Sequence, residues 1–187
     1  MIPIYVDSPS AVNATNIFRL HLDLFNKDVA EVLEHDDDPF GFGTLKYITN
    51  VNHSKALNAR KEPCIIISAS GMMEAGRVKH HIANNIDNPK NSILAIGYCA
   101  PTTLGARILR GEKEISIHGM PHQVNAEIFS IDAFSGHADY QEMEQYLRCQ
   151  NPEKVKKVFI VHGDYEAQVP YSKVLEKAGF NDIVIPK

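Results

Sequence analysis

Two histidines are set apart by what flanks them. His137 lies in Phe134-Ser135-Gly136-His137-Ala138-Asp139-Tyr140 and His162 in Val161-His162-Gly163-Asp164. Each falls where an apolar segment, Ile128–Phe134 or Val158–Val161, gives way to polar residues. In an open α/β sheet, the loops leaving the carboxyl ends of neighbouring strands share one crevice. Two histidines 25 positions apart (162 − 137) and so placed can face one site. Imidazole moves protons near neutral pH and is the commonest metal ligand. A catalytic zinc wants three protein ligands and an open position, and di-metal hydrolases hold two ions ~3.5–4 Å apart. Two histidines complete neither. The chain has nine histidines, so chance placement of two at strand ends is the competing reading.

A second stretch has the composition of an anion site. Cys64-Ile65-Ile66-Ile67-Ser68 is a continuous apolar, β-branched run, as a buried parallel strand requires. It opens into Ala69-Ser70-Gly71-Met72-Met73-Glu74-Ala75-Gly76-Arg77, and a helix continues through His80, His81 and Ile82. Free amides at a glycine turn before a helix N-terminus favour phosphate, and Arg77 can add a bidentate grip. Successive helical residues point about 100° apart, so His80 and His81 cannot share a ligand and are assigned to the helix surface or a domain interface. His35-Asp36-Asp37-Asp38 reads as a solvated loop, and His118 and His122 as surface residues flanking a turn.

Phe-Ser-Gly-His-Ala-Asp-Tyr followed by Val-His-Gly-Asp resembles the last two signature motifs of the β-CASP branch of the metallo-β-lactamase superfamily, which contains zinc-dependent RNA-processing nucleases. Val6-Asp7-Ser8-Pro9, Ser70-Gly71-Met72 with Gly76-Arg77, and Thr103-Leu104-Gly105 extend the resemblance over nearly the whole chain. The family's upstream His-x-His-x-Asp-His metal motif is absent, and Thr102 and Ala106 stand where the family commonly has glycine and arginine. The resemblance implies the C-terminal part of a longer enzyme whose complete site holds two zinc ions. His162 would be a zinc ligand and His137 the histidine that passes a proton to the leaving group. Ser70, Gly71, Arg77 and Ser135 would contact RNA phosphates, with Asp139 and Asp164 orienting and capping beside the histidines. The implied partners are RNA and a missing N-terminal metallo-β-lactamase half, with a homodimer left open. The implied enzyme is an exo- or endonuclease. The alternative is a non-catalytic RNA-binding or partner-binding module of the same family.

The elements that must position these residues follow from local pattern. Ile2–Val6 reads as a strand, with Ser8 able to cap and Pro9 able to open the helix after it. Asp28–Glu34 and Ser54–Asn58 read as short helices, and Leu45–Thr49 and Ser92–Gly97 as strands. Glu114–Gly119 and Gln123–Ile128 alternate polar and apolar residues, the pattern of a half-exposed hairpin turning at Gly119–His122. A helix over Gln141–Leu147, capped by Ser135 or Asp139, precedes a helix over Glu166–Ala178 stopped by Gly179, and Asn181–Ile185 forms a last strand. The expected fold is α/β. A doubly wound, mostly parallel sheet over residues 1–110 precedes a segment, 111–187, whose hairpin and α/β elements complete a metallo-β-lactamase domain.

Composition sets outer limits. With 44% hydrophobic and 22% charged residues, the chain has the balance of a soluble globular protein. No apolar run approaches the ~20 residues of a membrane span, and no signal-peptide pattern opens the chain. Three widely spaced cysteines without a C-x-x-C pair argue against a disulfide framework and for the cytoplasm. A net charge of −4 argues against a general nucleic-acid coat, not against an enzyme that grips RNA in a cleft.

Overall fold

The computed structural model describes residues 1–186, which form two compact units, Met1–Phe134 and Ser135 onward. The architecture is α/β with parallel pairing. In the first unit, β1 (Ile4–Asp7) lies between β2 (Leu45–Tyr47) and β3 (Ile65–Ser68), parallel to both. Parallel neighbours need crossovers. These are supplied by α1 (Pro9–Leu20), α2 (Lys27–Leu33) and α3 (Val51–Asn58). Ser8 caps α1, its hydroxyl accepting the Ala11 N–H at 3.3 Å, with Pro9 at the first helical position.

The chain continues through α4 (Arg77–Asn85), β4 (Ser92–Ile96) and α5 (Leu104–Leu109). The hairpin that follows differs from expectation. Its arms are β5 (Glu114–Ile117) and β6 (Met120–Gln123), joined by His118 and Gly119 alone. Both turn residues have positive φ, 52° and 78°, as the two-residue turn that matches strand twist demands. Glu127–Ile131 is therefore not a hairpin arm. It is a separate strand, β7, which pairs in parallel with β4 from Ser92↔Glu127 to Ile96↔Ile131. Alternation alone could not tell these apart, because polar and apolar residues keep alternating from Gln123 to Ile128, past the end of β6 and into β7.

The main core of this unit is Met73, Ile82, Ile86, Ala95, Leu104, Ile108, Ile115 and Ile117, gathered from the turn before α4, from α4 and its C-cap, and from β4, α5 and the hairpin. It covers one face of the β4–β7 pair. The other face presents Leu94, Ile96, Phe129 and Ile131, each between 38 and 51% exposed.

In the second unit, α6 (Tyr140–Leu147) and α7 (Tyr165–Lys177) accompany the short parallel pair β8 (Val158–Phe159) and β9 (Ile183–Val184). Ile160, Leu175 and Phe180 form its core. Among the described residues no helix is long and apolar enough to cross a membrane.

Candidate functional site

The second unit carries both singled-out histidines on tightly determined backbone. Asp139 is the N-cap of α6. Its Oδ1 accepts the N–H groups of Gln141 and Glu142 at 2.8 and 2.9 Å, and the Glu142 carboxylate accepts the Asp139 N–H at 2.9 Å. This reciprocal capping box satisfies free amides at the helix start. Ser135 accepts the His137 N–H at 3.2 Å instead of capping the helix. His137 is thus framed from both sides while its ring stays exposed. Asp139→Ala should lower unfolding stability by about 1 kcal/mol, read by urea denaturation followed by circular dichroism. A shift within experimental error would show that the box is redundant.

His162 follows β8 with φ 66°, and Gly163 continues at 80°. Left-handed backbone is uncommon outside glycine, although histidine tolerates it better than most residues. The His162 carbonyl accepts from Gln168 Nε2 at 2.8 Å, tying the turn to α7. Asp164 stands at the N-cap of α7 but makes no side-chain capping bond, so its expected cap does not form. Among the described residues the hydrogen bonds of His137 and His162 run through main-chain atoms, and neither imidazole is engaged. Among the described residues no group of three or more His, Cys, Asp or Glu side chains is arranged to hold a metal ion. His137 and His162 are two donors, and a catalytic zinc takes three protein ligands.

In the first unit, the Ser70–Gly76 turn is held from several directions. Ser70 N–H donates to the Ala75 carbonyl at 3.3 Å, Met73 N–H to Ser70 at 3.0 Å and Val78 N–H to Ala69 at 3.2 Å. Met73 is buried in the core, and the Met72 carbonyl accepts the Gly105 N–H at 3.1 Å. The Glu74 carboxylate accepts the Leu104 N–H at the start of α5. A Cβ on Gly105 would lie 2.7 Å from Cys99 Sγ and 3.1 Å from the Met72 carbonyl. The glycine of the Thr-Leu-Gly string thus serves packing of one loop on the other.

Arg77 opens α4, and its guanidinium is largely engaged. Nη1 donates to Asp7 Oδ1 at 2.5 Å and to the Ile48 carbonyl at 3.0 Å, and Nη2 donates to the Thr49 carbonyl at 3.0 Å. Asp7, fully buried, also accepts from Ser54 Oγ at 2.5 Å and faces His81 Nε2 at 2.7 Å. The other ring nitrogen of His81 lies 2.7 Å from Asn58 Oδ1. This corrects the assignment of His81 to the helix surface or a domain interface, since it is only 6% exposed and its partners Asp7 and Asn58 lie within the same unit. His80, one step round the helix, is exposed and stacks on His118 with ring centroids 4.6 Å apart. Sequence reasoning missed Asp7. The available signal was a carboxylate ending an apolar strand, where a buried charge must find partners. Ser8, Ser10, Ser70, Gly76 and Arg77 line an open pocket of about 400 Å³ beside this cluster.

Burial alone would push the Asp7 carboxyl up. Hydrogen bonds from Ser54, Arg77 and His81 outweigh it and hold the group below its ordinary 3.8. A depressed carboxylate stabilises the fold above its unfolded pKa and loses that contribution as pH falls through the folded value. Acid titration by circular dichroism should therefore show the Asp7-dependent loss only below about pH 4, and Asp7→Asn should flatten that limb. An unchanged limb would remove Asp7 from the linkage.

Residues 1–108 match the family model of the β-CASP domain, more than half of the 187-residue chain. The chain belongs to the β-CASP family. Residues 121–186 of this β-CASP chain match the model of a zinc-dependent metallo-hydrolase RNA specificity domain. Ribonuclease TTHA0252 of Thermus thermophilus is 29% identical over 177 residues, which cover 95% of this chain and 40% of the relative. An RNase J-like protein of Methanocaldococcus jannaschii is 30% identical over 176 residues, covering 94% and 39%. Transcription termination factor FttA of Thermococcus kodakarensis is 32% identical over 182 residues, covering 94% and 28%. The β-CASP chain thus spans between 28 and 40% of the length of these three relatives.

Proposed function

We propose that this chain is the C-terminal portion of a zinc-dependent ribonuclease, with residues 1–110 belonging to its β-CASP part and residues 111–187 completing its metallo-β-lactamase domain. The observation that carries the reading is the pair His137 and His162, each on a fixed turn with an imidazole that the fold does not use. The match to a zinc-dependent RNA specificity domain supports zinc and RNA as cofactor and substrate class. The half-exposed Leu94, Ile96, Phe129 and Ile131 support further polypeptide packed on that face, since parallel strands are ordinarily covered on both faces. Three free cysteines accord with a reducing, cytoplasmic setting.

Hydrolysis of a phosphodiester needs an activated water, neutralised phosphate charge and a proton for the leaving oxygen. When bound, zinc supplies the first two by lowering the pKa of its water and acting as a Lewis acid. His162 would be one zinc ligand of a two-ion site. His137 would hold a proton on its ring and deliver it to the leaving oxygen. Ser135 and Asp139 keep the His137 backbone in place, and Ser70, Gly71 and Arg77 would hold the RNA backbone, Arg77 through the donors that its internal contacts leave free. The isolated chain, supplied with zinc and labelled single-stranded RNA, should show no cleavage above background, while the longer native protein should cleave. Robust zinc-dependent cleavage by the isolated chain would overturn the reading.

A further inference from the structure

The geometry points to Asp7 as the positioning residue of the RNA-gripping turn: its buried carboxylate aims Arg77, so that the free edge of the guanidinium and the Ser70–Gly71 segment hold one phosphodiester. This rests on the reading above, in which Ser70, Gly71 and Arg77 contact RNA.

The carboxylate is anchored before it touches Arg77. Ser54 Oγ donates to Oδ2 at 2.5 Å, and His81 Nε2 lies 2.7 Å from the same oxygen, itself oriented by Asn58 across the ring. The Asp7 main chain is fixed as well, because its carbonyl accepts from Ser68 Oγ at 2.8 Å in the β1–β3 register. Oδ1 is then presented to Arg77 from one direction only. Two further carbonyls hold the same guanidinium, Ile48 on Nη1 and Thr49 on Nη2.

An arginine has five N–H donors in a rigid fork. Among the described residues three are used, leaving Nε and one hydrogen of Nη2. The Arg77 side chain is 16% exposed, and it lines the pocket that Ser70 and Gly76 also border. A guanidinium fixed before binding loses little freedom when it meets phosphate, which is the use of a supporting shell around a contact residue.

Stability alone does not account for the cluster. Replacing a buried ion pair by well-packed apolar residues is often neutral or stabilising. An ordinary core at the end of β1 would serve the fold as well. A charge placed there, with its partners arranged on α3 and α4, instead fixes the direction of one side chain at the mouth of a pocket.

The test uses this chain, a short single-stranded RNA with a 5′ fluorophore, and anisotropy over a range of salt, with thermal melts on every variant. At a temperature where the variant is fully folded, Asp7→Asn should weaken binding about tenfold, the scale of one hydrogen bond to a charged group. The slope of log K against log salt should also become shallower by ~0.7, the loss of one phosphate contact on a single strand. Ser54→Ala, which removes one anchor of the carboxylate, should weaken binding by a smaller factor in the same direction and carries the test if Asp7→Asn does not fold. A purely structural role would lower the melting temperature and leave the affinity and salt slope of the folded protein unchanged, which would overturn the proposal. Tighter binding by Asp7→Asn would overturn it too, since Asp7 would then be only a repulsive charge. Ser70→Ala and Arg77→Ala separate the two levels of inference. If neither weakens binding, the RNA-gripping turn itself is wrong and this proposal falls with it. If both weaken binding while Asp7→Asn and Ser54→Ala do not, only the role of Asp7 falls.

Discussion

Alanine at His137 is expected to lower RNA hydrolysis by the longer native protein about 10²–10⁴-fold, the usual contribution of a positioned general acid, with zinc content unchanged. Alanine at His162 is expected to lower zinc content and hydrolysis together. The asymmetry follows from the two proposed roles. A proton donor can be removed without emptying a metal site, whereas a zinc site that loses a ligand loses affinity. Because His162 sits at φ 66°, alanine there also adds backbone strain. His162→Asn is therefore the cleaner variant, since asparagine tolerates left-handed backbone but is a poor zinc ligand. Metal content per chain by atomic emission, with single-turnover cleavage of labelled RNA, reads both effects. Loss of zinc in His137→Ala would make that residue a ligand instead. Full zinc and full activity in His162→Asn would take His162 out of the zinc site and shift the reading of this chain to a non-catalytic RNA-binding or partner-binding module beside a site completed elsewhere.

Much of the fold was legible because local signals agreed with one another. A β-branched run marks β3, and Ser8-Pro9 and Asp139 announce α1 and α6 through capping chemistry that does not depend on tertiary context. The hairpin was displaced because its strands are short and apolar alternation continues past them. The decisive feature, a two-residue turn with His118 at positive φ, lacks the usual Asn-Gly signal. His137 and His162 stand out in the sequence because their neighbours punctuate the ends of apolar segments. Asp7 and His81 do not, because their role exists only across β1, α3 and α4. Asp7 meets Ser54, Arg77 and His81 at sequence separations of 47, 70 and 74, and no window of local sequence contains that pattern. Arg77 was singled out for its charge, but the carbonyls and carboxylate that occupy most of its fork come from distant segments. The glycine of Thr-Leu-Gly was legible as a motif and opaque as physics, since the sulfur and carbonyl that exclude a Cβ lie on two other loops.

Gly76→Ala is expected to destabilise the first unit by ~3 kcal/mol or more, since strained backbone of this kind costs about 1–3 kcal/mol before any clash is counted. Gly76 has φ 79° and ψ −170°, a region that is essentially glycine's alone. A Cβ there would also lie 2.5 Å from the Ala69 carbonyl oxygen. That oxygen cannot simply move aside, because it accepts the Val78 N–H at 3.2 Å in the first turn of α4. Relief of the clash must therefore shift the turn, the start of α4, or both. Either shift disturbs the Ser70–Ala75 bond and the approach of Arg77 to Asp7. Gly71 is the internal control. A Cβ there meets only the Ile96 carbonyl at 3.8 Å, ordinary contact, so Gly71→Ala should leave stability within about 1 kcal/mol, the scale of a compatible glycine substitution. Urea denaturation of both variants gives the comparison, and RNA binding by the same two proteins adds a second axis. Gly76→Ala should lose affinity through a displaced turn, whereas Gly71→Ala should lose it only if the RNA backbone approaches that position. Equal stability of the two variants would mean that the turn yields freely, and that its internal hydrogen bonds do not hold the anion-binding geometry assigned to it.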